Sequence, residues 1–244
     1  MKIKIKRFSK DKPLENKVNH YNINEVNLLK ALFEIKTTID STLTFRCGCK
    51  SGVCGSCAVR INGVEKLACK TNIKDGDVIE AIKNSALIKD LVVNVSHETI
   101  LIKKTSSFIQ ENQDIKISQK DVSIIDLQSN CILCNACYSS CPVYEVNKDF
   151  LGPFALTRAL RYVNDKKNAS SANIVNNVQT NGIWDCTLCS ACTLVCPQGI
   201  DPKADIMQLQ NISVQNGYNN PNMQDFNLNT DFDNDFGGFN PNGF

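Results

Sequence analysis

Long apolar stretches are missing from this chain. No run reaches the roughly 18 apolar residues that a membrane-spanning helix needs, so no transmembrane segment is expected. The opening Met-Lys-Ile-Lys-Ile-Lys-Arg alternates like a strand with no apolar stretch behind it, so a signal peptide is not expected either. A net charge of +2 leaves no basic excess to draw the chain to nucleic acid. There is no G-x-G-x-x-G after a strand and no phosphate-binding P-loop, so flavin, nicotinamide and nucleotide sites are not visible. Histidine is scarce. The 2 present, His20 and His97, lie far from any cysteine pair and are expected on the surface, which excludes the two-histidine ligation of a Rieske centre. Lysine and arginine are absent from Asn211 to Phe244, where Asp225, Asp231, Asp233 and Asp235 stand among asparagine and phenylalanine. That tail, residues 211–244, reads as disordered or ordered only on a partner.

What the chain does have is cysteine, 13 in 244 residues. The number is odd, and the cysteines bunch into three groups rather than spreading as a disulfide framework would. Bunching beside Gly and Pro, with no secretory signal, reads as metal ligation in a reducing compartment. In the first group Cys49, Cys54, Cys57 and Cys69 give C-x4-C-x2-C…C, the plant-type spacing for [2Fe–2S]. Gly48, Gly52 and Gly55 let that loop wrap tightly and aim backbone N–H groups at sulfur. Cys47 is surplus: a free thiol beside the loop, or a substitute for Cys49 that would break the spacing. A zinc ribbon would want two C-x2-C knuckles, and only Cys54/Cys57 forms one here.

The second and third groups repeat one pattern, C-x2-C-x2-C-x3-C-P, at Cys131-Cys134-Cys137-Cys141-Pro142 and at Cys186-Cys189-Cys192-Cys196-Pro197. In two-cluster bacterial ferredoxins the fourth cysteine of each run ligates the other cluster. The crossed assignment is Cys131, Cys134, Cys137 and Cys196 for one [4Fe–4S] centre, and Cys141, Cys186, Cys189 and Cys192 for the other.

Around these groups the pattern predicts an α+β chain: a strand-rich N-terminal domain over 1–105, then a helical domain over 106–210. Strands are expected at 2–7, 21–24, 58–61, 65–69 and 78–82, with Asn62-Gly63 as a hairpin turn. Asn24 is expected to cap a helix that buries Leu28, Leu29, Leu32, Phe33 and Ile35. A linking helix near 95–110 and helices at 121–129, 153–164 and about 170–180 follow from apolar spacing. Arg158 and Arg161 are expected on a solvated or partner-facing side, and Trp184 packed on a cysteine loop.

A plant-type loop followed by a two-run ferredoxin domain resembles the iron–sulfur subunit of the succinate dehydrogenase and fumarate reductase family. The resemblance covers about residues 1–210. It rests on Gly52-Val53-Cys54-Gly55-Ser56-Cys57, Leu67-Ala68-Cys69, Ile88-Lys89-Asp90-Leu91-Val92-Val93, Cys131-Ile132-Leu133-Cys134, Gly152-Pro153 and Cys196-Pro197-Gln198-Gly199-Ile200-Asp201-Pro202. It implies a plant-type (β-grasp) ferredoxin domain and an all-α two-cluster domain. It also implies an electron-transfer subunit without activity alone, placed between a FAD-containing catalytic subunit and a membrane-associated quinone-reactive subunit. The first domain would face the flavin and the second the membrane, peripheral on the cytoplasmic membrane and on its cytoplasmic side; co-export with a partner is the other location. The alternative is service to another flavoprotein oxidoreductase, or life as a free polyferredoxin.

Two departures from the family pattern stand out. Members commonly lack the middle cysteine of the second run and carry [3Fe–4S] there; Cys189 occupies that position here, which implies [4Fe–4S] in preference to [3Fe–4S] on Cys141, Cys186 and Cys192. The family's quinone pocket also uses a tryptophan after the first run and a histidine after the first cysteine of the second. Here those stretches read Pro142-Val143-Tyr144-Glu145-Val146 and Cys186-Thr187. The pattern resembles variant complexes whose membrane-associated subunit is itself cysteine-rich and takes over the quinone chemistry.

Overall fold

The computed structural model describes residues 1–9 and 17–221. In strand β1 (Lys2–Lys6) Ile3 and Ile5 are fully buried, as the two-residue repeat requires. β2 pairs with it antiparallel over Val18–Asn22, earlier than the expected 21–24. The helix that follows, α1 (Leu28–Glu34), continues into a wider turn at Ile35–Ile39. Its cap is Asn27, whose side chain accepts from the Lys30 N–H at 3.3 Å. Asn24 lies too far upstream of Leu28 to cap the helix, and its own N–H and side chain donate instead to the Glu34 carboxylate at 3.0 Å.

β3 (Ala58–Ile61) and β4 (Val64–Leu67) form the expected hairpin, with Asn62 and Gly63 both at positive φ. β5 (Val78–Glu80) inserts between β1, which it meets in parallel, and β3. Among the described residues the sheet order is β2-β1-β5-β3-β4. Leu28, Leu32 and Ile35 join Ile3, Ile5 and Ile79 in one core. A small hairpin, β6 (Leu87–Lys89) and β7 (Val92–Val93), closes this domain.

The rest is helical. α2 (His97–Lys104) links the domains, and α3 (Gln119–Ser129) begins at a Ser118/Asp121 capping box. Two short helices, α4 (Ala136–Ser139) and α5 (Pro142–Val146), leave the first cysteine run. At the centre lies α6 (Pro153–Val163), burying Phe154, Leu156 and Leu160. α7 (Ser171–Asn177), the short α8 (Ala191–Leu194) and α9 (Pro202–Gln215) complete the domain. α9 runs past residue 210, so the start of the expected tail is helical; residues 222–244 of that tail lie outside the described residues. Among the described residues no helix is long and apolar enough to cross a membrane.

Two arginines differ from expectation. The Arg158 Nε donates to the Ser107 carbonyl at 3.2 Å, and Arg161 pairs with Asp165 and lies over the Tyr162 ring. Both are committed inside the chain, because the connection after α2 and the turn after α6 fold back against α6.

One buried ion network holds the first cysteine loop to the sheet. Asp90, 3% exposed, takes the Arg7 Nε at 2.8 Å and the Thr44 N–H at 2.8 Å. Arg7 also reaches the Tyr21 hydroxyl at 2.8 Å and the Asp40 carboxylate. The Thr42 hydroxyl, then Tyr21 and Arg7, hold Asp40 well below its ordinary value. Removing Arg7 leaves a buried carboxylate without its cation, a loss of about 3–5 kcal/mol. Arg7→Met should therefore lower the stability of the N-terminal domain by that order in denaturant unfolding. Lys6→Met, at an exposed pair with Glu80, should cost no more than about 1 kcal/mol. Since the folded Asp40 titrates below its unfolded value of 3.8, its contribution is full above that pH and is lost as pH falls through the folded value.

Candidate metal centres

The first loop leaves Thr44 and wraps so that backbone N–H groups face sulfur. Ser51 and Val53 both donate to Cys49 Sγ at 3.4 Å, and the Cys49 N–H reaches Cys54 Sγ at 3.4 Å. The Ser56 hydroxyl lies 3.1 Å from Cys54 Sγ. Hydrogen bonds from Ser51, then Val53, bring the Cys49 thiol down to about 5, so it is ready as a thiolate. Cys57 is the opposite case. Burial, then the nearby Cys69, pushes its thiol up to about 11. The Ala68 N–H bonds the Cys57 carbonyl at 3.0 Å, which sets the turn carrying Cys69 beside Cys57. Cys47 is exposed on the same loop.

The two later runs repeat a backbone device. Leu133 and Asn135 in one, and Leu188 and Ser190 in the other, sit at positive φ just before α4 and α8. These left-handed steps fold each C-x2-C-x2-C turn back on itself. N–H groups again meet sulfur, from Leu188 to Cys186 and from Tyr144 to Cys141, each at 3.4 Å.

Electrostatics sorts these cysteines into two groups. Burial raises the Cys131, Cys134 and Cys137 thiols, and the charge of Cys196 raises each of them further. Cys134 reaches about 12. All four line one cavity, walled also by Ile132, Leu133, Phe154 and Ile200. In the other group burial raises Cys141, Cys186 and Cys192, and Cys189 adds to each. Cys192 reaches about 12. Cys189 itself is exposed, while Cys141 and Cys192 are buried. Cys137 also feels Cys192, which places the two groups side by side. A cluster of thiols in which three are raised by burial and by their neighbours is a donor set suited to a cation, since metal binding exchanges their protons for positive charge. The donor chemistry of both groups, and of the first loop, fits iron–sulfur clusters.

The domains meet through these loops. Gly55, at φ +70, abuts the second run so closely that a Cβ would lie 2.7 Å from the Ile132 carbonyl and 2.9 Å from Cys134 Cβ. The Ser139 hydroxyl donates to the buried Glu65 carboxylate at 2.6 Å, and Asn84 Nδ2 donates to the Tyr138 carbonyl at 2.8 Å. Sequence reasoning missed Asn135, buried and clamped by α2: its Oδ1 lies 3.0 Å from His97 Nε2, and its Nδ2 donates to Glu98. His97 is therefore not a surface residue; it is half-buried against Tyr138 and Tyr144, with ring centroids 5.5 and 6.4 Å away. Burial lowers the His97 pKa and raises that of Glu98, so both lean towards neutral. His20 is exposed, as expected. Trp184 is buried and donates to Gln179 Oε1 at 2.8 Å, a packing role as expected.

Comparison with known proteins agrees with this anatomy. The family described as a 2Fe-2S iron-sulfur cluster binding domain matches residues 2–99, and that described as a 4Fe-4S dicluster domain matches residues 128–200. The fumarate reductase iron-sulfur subunit of Haemophilus influenzae is 32% identical over 232 residues, covering 85% of this chain and 91% of that one. Its counterpart from Escherichia coli is 35% identical over 192 residues, covering 75% and 79%. The 8-methylmenaquinol:fumarate reductase iron-sulfur subunit of Wolinella succinogenes is 32% identical over 237 residues, covering 90% and 74%. A chain of the Mycobacterium smegmatis Sdh1 complex in the apo form shares the fold, with a TM-score of 0.77 at 21% identity over 89% of this chain and 97% of that one.

The contact at Gly55 is testable. Gly55→Ala adds a methyl where Ile132 and Cys134 leave no room, on top of a left-handed backbone cost of roughly 1–2 kcal/mol. Gly76, at φ +87 with nothing within 4 Å of a Cβ, carries the backbone cost alone. Gly55→Ala should bind less iron per chain than wild type, and Gly76→Ala as much as wild type, by metal analysis of the anaerobically purified proteins.

Proposed function

This chain belongs to the family of fumarate reductase iron–sulfur subunits, and we propose that it carries electrons between a FAD-containing catalytic subunit and a membrane-associated quinone-reactive subunit. The enzyme would be a succinate:quinone or quinol:fumarate oxidoreductase. Cys49, Cys54, Cys57 and Cys69 would hold [2Fe–2S]; Cys131, Cys134, Cys137 and Cys196 would hold [4Fe–4S]; Cys141, Cys186, Cys189 and Cys192 would hold a second [4Fe–4S]. Such clusters supply reversible one-electron exchange. The observation that carries the reading is the sorting of the two runs into crossed groups, each with a cysteine from the other run, beside a loop that offers N–H groups to sulfur.

The chain's own work is positioning. Ser51 and Val53 direct N–H groups at Cys49, which favours the electron-rich state of a centre bound there. The apolar walls about Cys131 and Cys196 keep water from the middle group. Gly55 brings the first loop against Cys134, so that neighbouring centres lie across a single backbone contact. No acid, base or nucleophile is asked of this subunit. Tyr144 and Thr187 stand in the stretches where the family pattern has tryptophan and histidine, which supports a quinone pocket on the membrane-associated partner, itself cysteine-rich. The division near residue 105 would separate a flavin-facing domain from a membrane-facing one, peripheral to the cytoplasmic side.

Cys189 supports the four-iron reading, because its charge acts on each of Cys141, Cys186 and Cys192. EPR of the anaerobic protein as isolated should show no oxidised-state [3Fe–4S] signal, and Cys189→Ser should produce one. Such a signal in wild type would refute the use of Cys189. The purified chain should turn over neither succinate nor fumarate in a dye-coupled assay, and should co-purify with a flavoprotein when expressed with its partners. Activity from the chain alone would sink the electron-carrier reading.

A further inference from the structure

The peptide between Gly52 and Val53 is engaged from both sides. Its N–H donates to Cys49 Sγ at 3.4 Å. Its carbonyl, that of Gly52, accepts from Nε2 of Gln198 at 3.0 Å. Gln198 belongs to the other domain, in the turn Cys196-Pro197-Gln198, and it also lines the cavity of Cys131, Cys134, Cys137 and Cys196. Gly52 sits at φ +87, and a Cβ there would lie 2.7 Å from the Lys70 side chain. A hydrogen bond to a peptide carbonyl draws electron density from the N–H of the same unit, so bonds in series strengthen one another by ~10–30% each. A stronger N–H···S bond stabilises an electron-rich sulfur and so the reduced state of the centre it serves.

We propose that Gln198 is a positioning residue for the N-terminal centre: through the Gly52–Val53 peptide it raises that centre's reduction potential from the domain that holds the next one. The proposal rests on the reading of Cys49 as a ligand of [2Fe–2S]. It gives the Gln198 amide a task distinct from holding the domains together, which Gly55, Ser139 and Asn84 already do. It also ties the potential to docking, because the carbonyl loses its donor whenever the two domains part.

The test is an EPR-monitored redox titration of the full chain with its clusters. Gln198→Leu removes the donor at similar volume; Gln198→Asn keeps a polar amide too short to reach the Gly52 carbonyl. Both should lower the midpoint potential of the [2Fe–2S] signal. Gln210→Leu is the control. Its amide donates to the Ile183 carbonyl at 2.7 Å within the helical domain, and its loss should leave that midpoint unmoved. A [2Fe–2S] signal that titrates at the wild-type potential in either Gln198 variant overturns the proposal, as does an equal shift in Gln210→Leu. Absence of a [2Fe–2S] signal from wild type overturns the ligand reading, and this proposal with it. Should Gln198→Leu fold poorly, Gln198→Asn alone decides, since it keeps a polar amide at this half-buried position.

Discussion

Sulfurs gathered in a buried space repel one another once ionised, and burial removes the water that would spread their charge. Here that tension is concentrated in the helical domain, where Cys134 and Cys192 are both pushed up to about 12. A cation relieves it, and the free energy of binding becomes free energy of folding. The local structure around the runs depends on this more than the distant core does. α4 and α8 have 4 residues each, too few for a helix to persist on its own. They hold because left-handed steps at Leu133, Asn135, Leu188 and Ser190 wrap the runs about shared centres.

The N-terminal domain meets the same problem differently. Its sheet and α1 form a core around Ile3, Ile5 and Ile79 that owes nothing to metal. The cysteine loop hangs from that core by the Asp90 network, and its N–H groups already prepare Cys49 as a thiolate. One site is thus drawn together by what it binds, the other held open by a scaffold. They meet at Gly55 and Cys134, which brings the first cysteine loop directly against the second run.

The two cluster-binding domains were legible because their cysteine spacing is local: C-x4-C-x2-C and C-x2-C-x2-C-x3-C are constraints on a few turns of backbone. The Asn62-Gly63 hairpin and the buried side of α6 were legible for the same reason. What escaped was anything decided by a distant partner. Asn24 lost the capping role to Asn27, because the helix starts only at Leu28, and Asn24 is held instead by the Glu34 carboxylate. Arg158 and His97 read as exposed because Ser107 and Asn135 lie far from them in sequence, whereas the Arg161–Asp165 pair has the i,i+4 spacing that a helix makes legible. The clamp on Asn135 had one faint signal, a polar residue inside a cysteine run where the second run has serine, but nothing in the sequence pointed from it to α2.

The crossed assignment proposed for the two runs bears on how the protein would be made. Domains generally fold in order as the chain is synthesised. The first site is complete once Cys69 is available, so its iron could be delivered while the rest is still being translated. Neither of the later sites has that option: Cys131, Cys134 and Cys137 wait for Cys196, and Cys141 waits for the whole second run. Until then the nascent helical domain carries thiols that have neighbours but no metal, open to oxidation and to the wrong cation. A delivery system serving this subunit would have to act twice, once during translation and once near its end, and protect the chain in between.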